Sequence, residues 1–310
     1  MTARGFFVAA DGRLHAPWRI LVFFLIAGLC IQGIAIVGGP VLEAADRLTG
    51  TDAASESLVL VIGLVLAHAI MLRGIDKRPW TAVGLDAGAA RSAVLARGWL
   101  LGAIPILVPS LALLTVGWLA VRPSLQGSWW VAAVQVSVFL LPAALGEELF
   151  SRGYIFATLR EWLGWPVALL LTSLAFGLLH LANPGADARS VTMVVLAGIF
   201  LGAVLIVTGS LYAAWMAHWA WNWVMAVPLH VAVSGLALAR PDYQIVDAGP
   251  DWITGGTWGP EGGAGAGAGM LIGLAYLYMR RRGLVALGSG LDSTDATPPA
   301  HTPPQPTAHE

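Results

Sequence analysis

The stretch WWVAAVQVSVFLLPAALGEELFSRGYIFATL, residues 129–159, is apolar over more than the thickness of a bilayer, yet it holds two carboxylates and a guanidinium. A hydrocarbon core of about 30 Å takes about 20 helical residues at 1.5 Å each. The segment therefore reads as one spanning helix that runs out through Arg160, Glu161 and Trp162, with Pro142 as its expected kink. Charge at the centre of such a helix costs about 2.5–3.5 kcal/mol per residue. Glu148 and Arg152 are four residues apart, share a face and can pair. Glu147 is turned about 100° away from Glu148 and has no such partner. The rival reading, a solvated amphipathic turn at the membrane surface, has to set aside the apolar residues on both sides.

Composition extends this reading to the whole chain. Of 310 residues, 57% are hydrophobic and 11% charged, against roughly 25% charged in soluble domains. The net charge of −1 and the lack of a basic stripe exclude a nucleic-acid binder. The single cysteine, Cys30, excludes a disulfide framework or a cysteine-based zinc site. Eight apolar stretches are long enough to be candidate spans: 20–38, 57–72, 99–121, 129–159, 165–182, 190–207, 210–228 and 264–279. The fold class is all-α, a polytopic transmembrane bundle of about eight spans with the site inside it.

Basic residues gather in cytoplasmic loops. With the N-terminus inside and eight spans, 12 Lys and Arg fall on one side, among them Arg13, Arg19, Lys77, Arg78, Arg160 and Arg280–Arg282, and 4 on the other, Arg47, Arg122, Arg189 and Arg240. This alternation predicts a multi-pass membrane protein with both termini cytoplasmic. The long first apolar run with no small-residue cleavage site is expected to be kept as a signal anchor, and residue usage rich in Ala, Gly, Trp and Arg with one Lys points to a bacterial cytoplasmic membrane. Four regions follow: helices and loops over 1–128, a core over 129–227, an outer loop and last helix over 228–287, and a Pro/Thr-rich disordered tail over 288–310. The Gly/Pro/Asp-rich loop 240–263 is expected to lie outside the core. The glycine run Gly262–Gly269 fits either close helix packing or a flexible lead-in.

Two more spans carry polar side chains at matching depth. Glu147 lies about 20 Å above the end of its helix and His180 about 22 Å above the start of the next, counted at 1.5 Å per residue. His218 and Asn222, four apart on one face of the seventh span, fall at a similar level. A lone intramembrane histidine is most often a packing or interhelical hydrogen-bonding residue, and His68, His230, His301 and His309 are read that way or as parts of loop and tail. Convergence of Glu147, His180, His218 and Asn222 from three helices points to a site. Trp129, Trp130, Trp162 and Trp165 read as an interfacial belt.

Glu147-Glu148-x-x-x-Arg152, Phe176-x-x-x-His180 and His218-x-x-x-Asn222, in this order on hydrophobic helices, resemble the CPBP family of intramembrane proteases, which includes the type II CAAX prenyl endopeptidases and the bacteriocin-processing or self-immunity Abi proteins. The loop PWTAVGLD, residues 79–86, is also similar to that family. The resemblance covers about 129–227 and implies an endopeptidase acting on a membrane-associated protein or peptide within the lipid bilayer.

In that setting Glu147 is the candidate general base, His180 orients the water, Glu148 and Arg152 hold and tune the site, and His218 and Asn222 donate to the oxyanion of a tetrahedral intermediate. No cofactor is required on this reading. Zinc on Glu147, His180 and His218 is the alternative, although the H-E-x-x-H signature is absent. A scaffold that binds a membrane partner and a proton-coupled transporter are the rival functions. No self-similarity between the halves supports the transporter, and the oligomeric state is left open.

Overall fold

The protein is described from a computed structural model, which covers residues 7–8, 12–49, 53–124, 126–238 and 241–292. Arg4, Arg240, His301, His309 and the tail beyond Asp292 lie outside the described residues. The helices are α1 (Ala16–Val37), α2 (Gly39–Thr49), α3 (Ala53–Ala69, continued by a π turn over Ile70–Ile75), α4 (Ser92–Thr115), α5 (Trp129–Arg152), α6 (Tyr154–Leu163), α7 (Trp165–Leu179), α8 (Ala188–Thr208), α9 (Leu211–Ala226) and α10 (Ala264–Asp292). The all-α bundle is thus present, with a helix at each of the eight expected stretches.

Six of these stretches are helical, long and apolar enough to cross a membrane by themselves: 16–37, 54–75, 92–115, 129–163, 165–182 and 188–208. The helix α9 has only 16 residues, and α10 holds Arg280, Arg281 and Arg282 within its length. α10 also runs to Asp292, past the expected start of the tail at 288.

Tight helix contacts follow from small residues. In α4, a Cβ on Gly98 would come within 2.4 Å of the Ala213 carbonyl oxygen, and one on Gly102 within 1.9 Å of that of Ala217. These glycines, four apart, let α4 and α9 meet backbone to backbone, as small-residue spacings do in membranes. The glycines in the first turns of α10 resolve the same way. A Cβ on Gly269 would stand 1.9 Å from the Pro105 carbonyl oxygen, and one on Gly273 2.7 Å from the Phe200 ring. The last helix therefore packs against α4 and α8. At the start of α8, Asp187 and Ser190 form a reciprocal capping box, with Ser190 N–H donating to the Asp187 carboxylate at 2.7 Å. That bond holds the Asp187 carboxyl below the usual carboxylate range.

Two expectations change. The segment 129–159 is not one helix kinked at Pro142, which α5 carries without a break. It stops at Gly153, whose backbone (φ −79°, ψ −123°) leaves helical geometry before α6 restarts at Tyr154. A Cβ on Gly153 would come within 2.2 Å of His68 Nε2. That nitrogen accepts the Tyr154 N–H at 2.9 Å, while His68 Nδ1–H donates to the Leu64 carbonyl at 2.7 Å. The buried histidine of the second span thus supplies the acceptor that the break takes away.

The loop 240–263 is not peripheral either. Tyr243–Asp247 pairs antiparallel with Leu119–Pro123, and Trp258, Thr254 and Glu261 behind it are buried. Three further short turns, over 251–254, 256–258 and 260–262, fold this loop onto the helix ends.

Arg19, Arg78 and Glu161, from segments expected to be cytoplasmic, lie in one network. Arg19 donates to Asp76 Oδ2 at 2.5 Å, Glu161 Oε2 at 3.0 Å and Tyr154 Oη at 3.1 Å. The Tyr154 hydroxyl donates to Asp76 at 2.7 Å, and Arg78 also pairs with Glu161. This network ties α1, α6 and the turn after α3 together. Of the tryptophans read as a belt, Trp130, Trp162 and Trp165 are exposed at helix ends.

Candidate active site

The sequence places Glu147 and Glu148 on adjacent faces of α5, and the two carboxylates take opposite environments. Glu148 is wholly buried, and its Oε1 accepts from Arg152 Nη1 at 2.8 Å and from His218 Nδ1 at 2.9 Å. The expected i,i+4 pair is present, and the bond to His218 adds a connection across to α9. Arg152 also donates to the Gly198 carbonyl at 3.1 Å and stacks 4.3 Å over the Phe176 ring. Phe176, the first residue of the second motif, in turn lies 4.7 Å from the His180 ring and 5.9 Å from the His218 ring, measured between centroids.

Glu147, expected to be the buried carboxylate, has a side chain that is 38% exposed, but its Oε2 atom is buried and has no hydrogen-bond partner. That oxygen lies 3.9 Å from His180 Nε2 and 3.8 Å from His218 Nε2. These separations are too long for direct hydrogen bonds and fit a third small group held between them. Both rings are oriented from behind. His180 Nδ1–H donates to the Phe176 carbonyl at 2.8 Å, and His218 Nδ1–H donates to Glu148. With their Nδ1 protons so placed, both histidines turn Nε2 toward Glu147.

Two spaces adjoin this triangle. On one side is a groove of about 360 Å³ lined by Glu147, Phe150, Ser151, Leu179, His180 and Asn183, among others. On the other is a cavity of about 30 Å³, large enough for a water, whose wall includes His180, His218, Asn222, Ser234 and Glu261. All six residues expected at the site therefore come together: Glu147, His180 and His218 face one another, Glu148 and Arg152 stand behind His218, and Asn222 borders the inner cavity.

Zinc ligands in a tetrahedron lie roughly 3.3 Å apart, from a bond length of about 2.0 Å. The Glu147 oxygen lies 3.9 and 3.8 Å from the two histidine nitrogens, and among the described residues no group of three His, Cys, Asp or Glu side chains is disposed to hold a metal ion.

Glu261 is a residue that the sequence reading passed over. Its Oε1 accepts from the Ser234 N–H at 2.5 Å and the Ser234 hydroxyl at 2.7 Å, and its Oε2 accepts from Trp221 Nε1 at 2.9 Å. It thus fastens the outer loop to the helix that bears His218 and Asn222. Within WGPEGG nothing distinguishes it by spacing from an ordinary loop carboxylate.

No curated protein and no solved structure matches the chain. Residues 127–224 match the family described as Type II CAAX prenyl endopeptidase Rce1-like, which bears out the resemblance read from the three motifs and supports, at that level, an intramembrane endopeptidase with a protein or peptide substrate.

Proposed function

We propose that the protein hydrolyses a peptide bond of a membrane-associated substrate with a water that Glu147 deprotonates. The observation that carries this reading is the placement of the unpartnered Glu147 Oε2 between two histidine Nε2 atoms, at 3.9 and 3.8 Å, on the wall of the 360 Å³ groove. A water about 2.8 Å from each neighbour fits such separations, because two such contacts at roughly a right angle span about 4 Å.

The steps balance with the residues at hand. Glu147 takes one water proton, and the lone pair of the neutral His180 Nε2 accepts the other as a hydrogen bond, which aims the oxygen. The hydroxide oxygen adds to the substrate carbonyl carbon, and the carbonyl electron pair moves to its oxygen. Asn222 Nδ2–H donates to that oxyanion. His218 can donate through Nε2 only as the imidazolium, since Nδ1–H is committed to Glu148, and the Glu148 carboxylate offsets that charge. Collapse breaks the C–N bond, and the proton held by Glu147 passes to the leaving nitrogen. Removing one oxyanion donor typically costs about 100- to 1,000-fold in rate.

The test compares new N-terminal peptides in membranes holding the wild-type protein and Glu147→Gln at equal abundance. Peptides present only with the wild type are expected, whereas full cleavage by a folded Glu147→Gln protein overturns the mechanism. Extensive dialysis against a chelator should leave cleavage unchanged. Loss of cleavage that zinc restores would overturn the metal-free reading.

A further inference from the structure

Arg152 has a second face. Away from Glu148, it lines a cavity of about 310 Å³ together with Arg160, Arg281, Trp165, Thr81 and the backbone at Gly84, among others. Three guanidinium-bearing residues border this space, and no Asp or Glu is among its lining residues. Arg152 is buried, and its Nε has no hydrogen-bond partner. Arg281 lies 4.7 Å over the Trp165 ring.

Two backbone acceptors nearby already hold a donor. The Leu205 carbonyl accepts Gly209 N–H at 2.8 Å, and the Gly84 carbonyl accepts Leu211 N–H at 3.0 Å. Arg152 is already offset by Glu148 behind it, so the surplus positive charge at the cavity comes from Arg160 and Arg281, with no Asp or Glu in its wall. Its position is at the ends of spans, since Arg160 sits in the last turn of α6, Trp165 starts α7 and Gly209 caps α8. Where spans cross a bilayer, their ends lie near the lipid headgroups.

We propose that this cavity is an anion site that takes a phosphate group, independent of the proteolytic reading. Guanidinium forks match phosphate oxygens two at a time, and a volume near 300 Å³ is that of a small-ligand pocket. The same chemistry is offered by inorganic phosphate and by the headgroup of an anionic phospholipid.

The experiment uses the full-length protein in detergent. Its thermal unfolding midpoint is followed against sodium phosphate at constant ionic strength set with chloride. In a second arm it is followed against phosphatidylglycerol, with phosphatidylcholine, whose phosphate is offset by choline, as the reference. A saturable rise is expected in at least one arm, with affinity reduced about tenfold or more in the Arg160→Gln/Arg281→Gln double variant. A rise with phosphate shows that the free ion suffices, and a rise with phosphatidylglycerol alone assigns the headgroup.

Modification of wild-type arginines by phenylglyoxal, read by mass spectrometry, gives a measure that needs no variant. The same probe should protect Arg160 and Arg281 and leave the exposed Arg73 and Arg91 reactive. No rise in either arm, an equal rise in the double variant, or protection of all four arginines alike overturns the site.

Discussion

Replacing Arg152 by Met would leave Glu148 wholly buried with its charge opposed only by His218. Breaking a buried ion pair by removing one partner costs about 3–5 kcal/mol, most of it the penalty of the charge left behind. Glu148→Gln should be costly for the mirror reason, because Arg152 is buried as well. The double variant, Glu148→Gln with Arg152→Met, removes both charges and should recover most of that loss. What remains is the Gly198 carbonyl without its donor and the Phe176 ring without its cation, about 1–3 kcal/mol together. The cycle should therefore show a coupling of at least about 2 kcal/mol, measured by reversible unfolding in mixed micelles of mild and denaturing detergent. Cleavage should stay lost in the double variant even as stability returns, since His218 no longer has an anion behind it. An Arg152→Met protein destabilised by less than about 1 kcal/mol, or a double variant no more stable than the singles, would refute the assignment of this pair as a coupled buried charge.

Gly102→Ala forces a Cβ onto the Ala217 carbonyl and should destabilise the fold by about 1–3 kcal/mol. Gly28→Ala, with nothing within 4 Å of the added carbon, should be silent in the same unfolding assay. His68→Phe removes the acceptor of the Tyr154 N–H and should cost about 1–3 kcal/mol, visible as faster limited proteolysis near Gly153. Glu261→Ala leaves the Ser234 N–H, the Ser234 hydroxyl and the Trp221 indole N–H unpaired. It should open the outer loop to amide hydrogen exchange, while Glu261→Gln, which keeps an acceptor, should have a smaller effect.

Much of this arrangement is legible in the sequence because a bilayer leaves few choices. Apolar length marks the helices, and the expense of intramembrane charge singles out Glu147, Glu148 and Arg152. Counting helical rise points His180, His218 and Asn222 to the level of Glu147, and both histidines do lie beside it although the count for Glu147 runs across the break at Gly153. What the sequence hides are contacts decided by tertiary packing. The break at Gly153 depends on His68, 85 positions earlier in the chain, whereas Pro142, the residue that propensity singles out, is accommodated within α5. Which of two adjacent carboxylates is sealed from solvent depends on the neighbours of α5, and no periodicity encodes that. The folded outer loop and Glu261 went unread because Gly- and Pro-rich composition resembles that of a passive linker.

The glycine seam between α4 and α9 has a bearing on how substrate enters. Where two backbones touch, there are no side chains between them to rotate or compress, so that joint has little compliance. The helix that presents His218 and Asn222 is thus braced like the fixed jaw of a vice. Widening of the groove beside Glu147 is then expected from its own walls, where side chains such as Leu60, Phe150 and Leu236 can rotate.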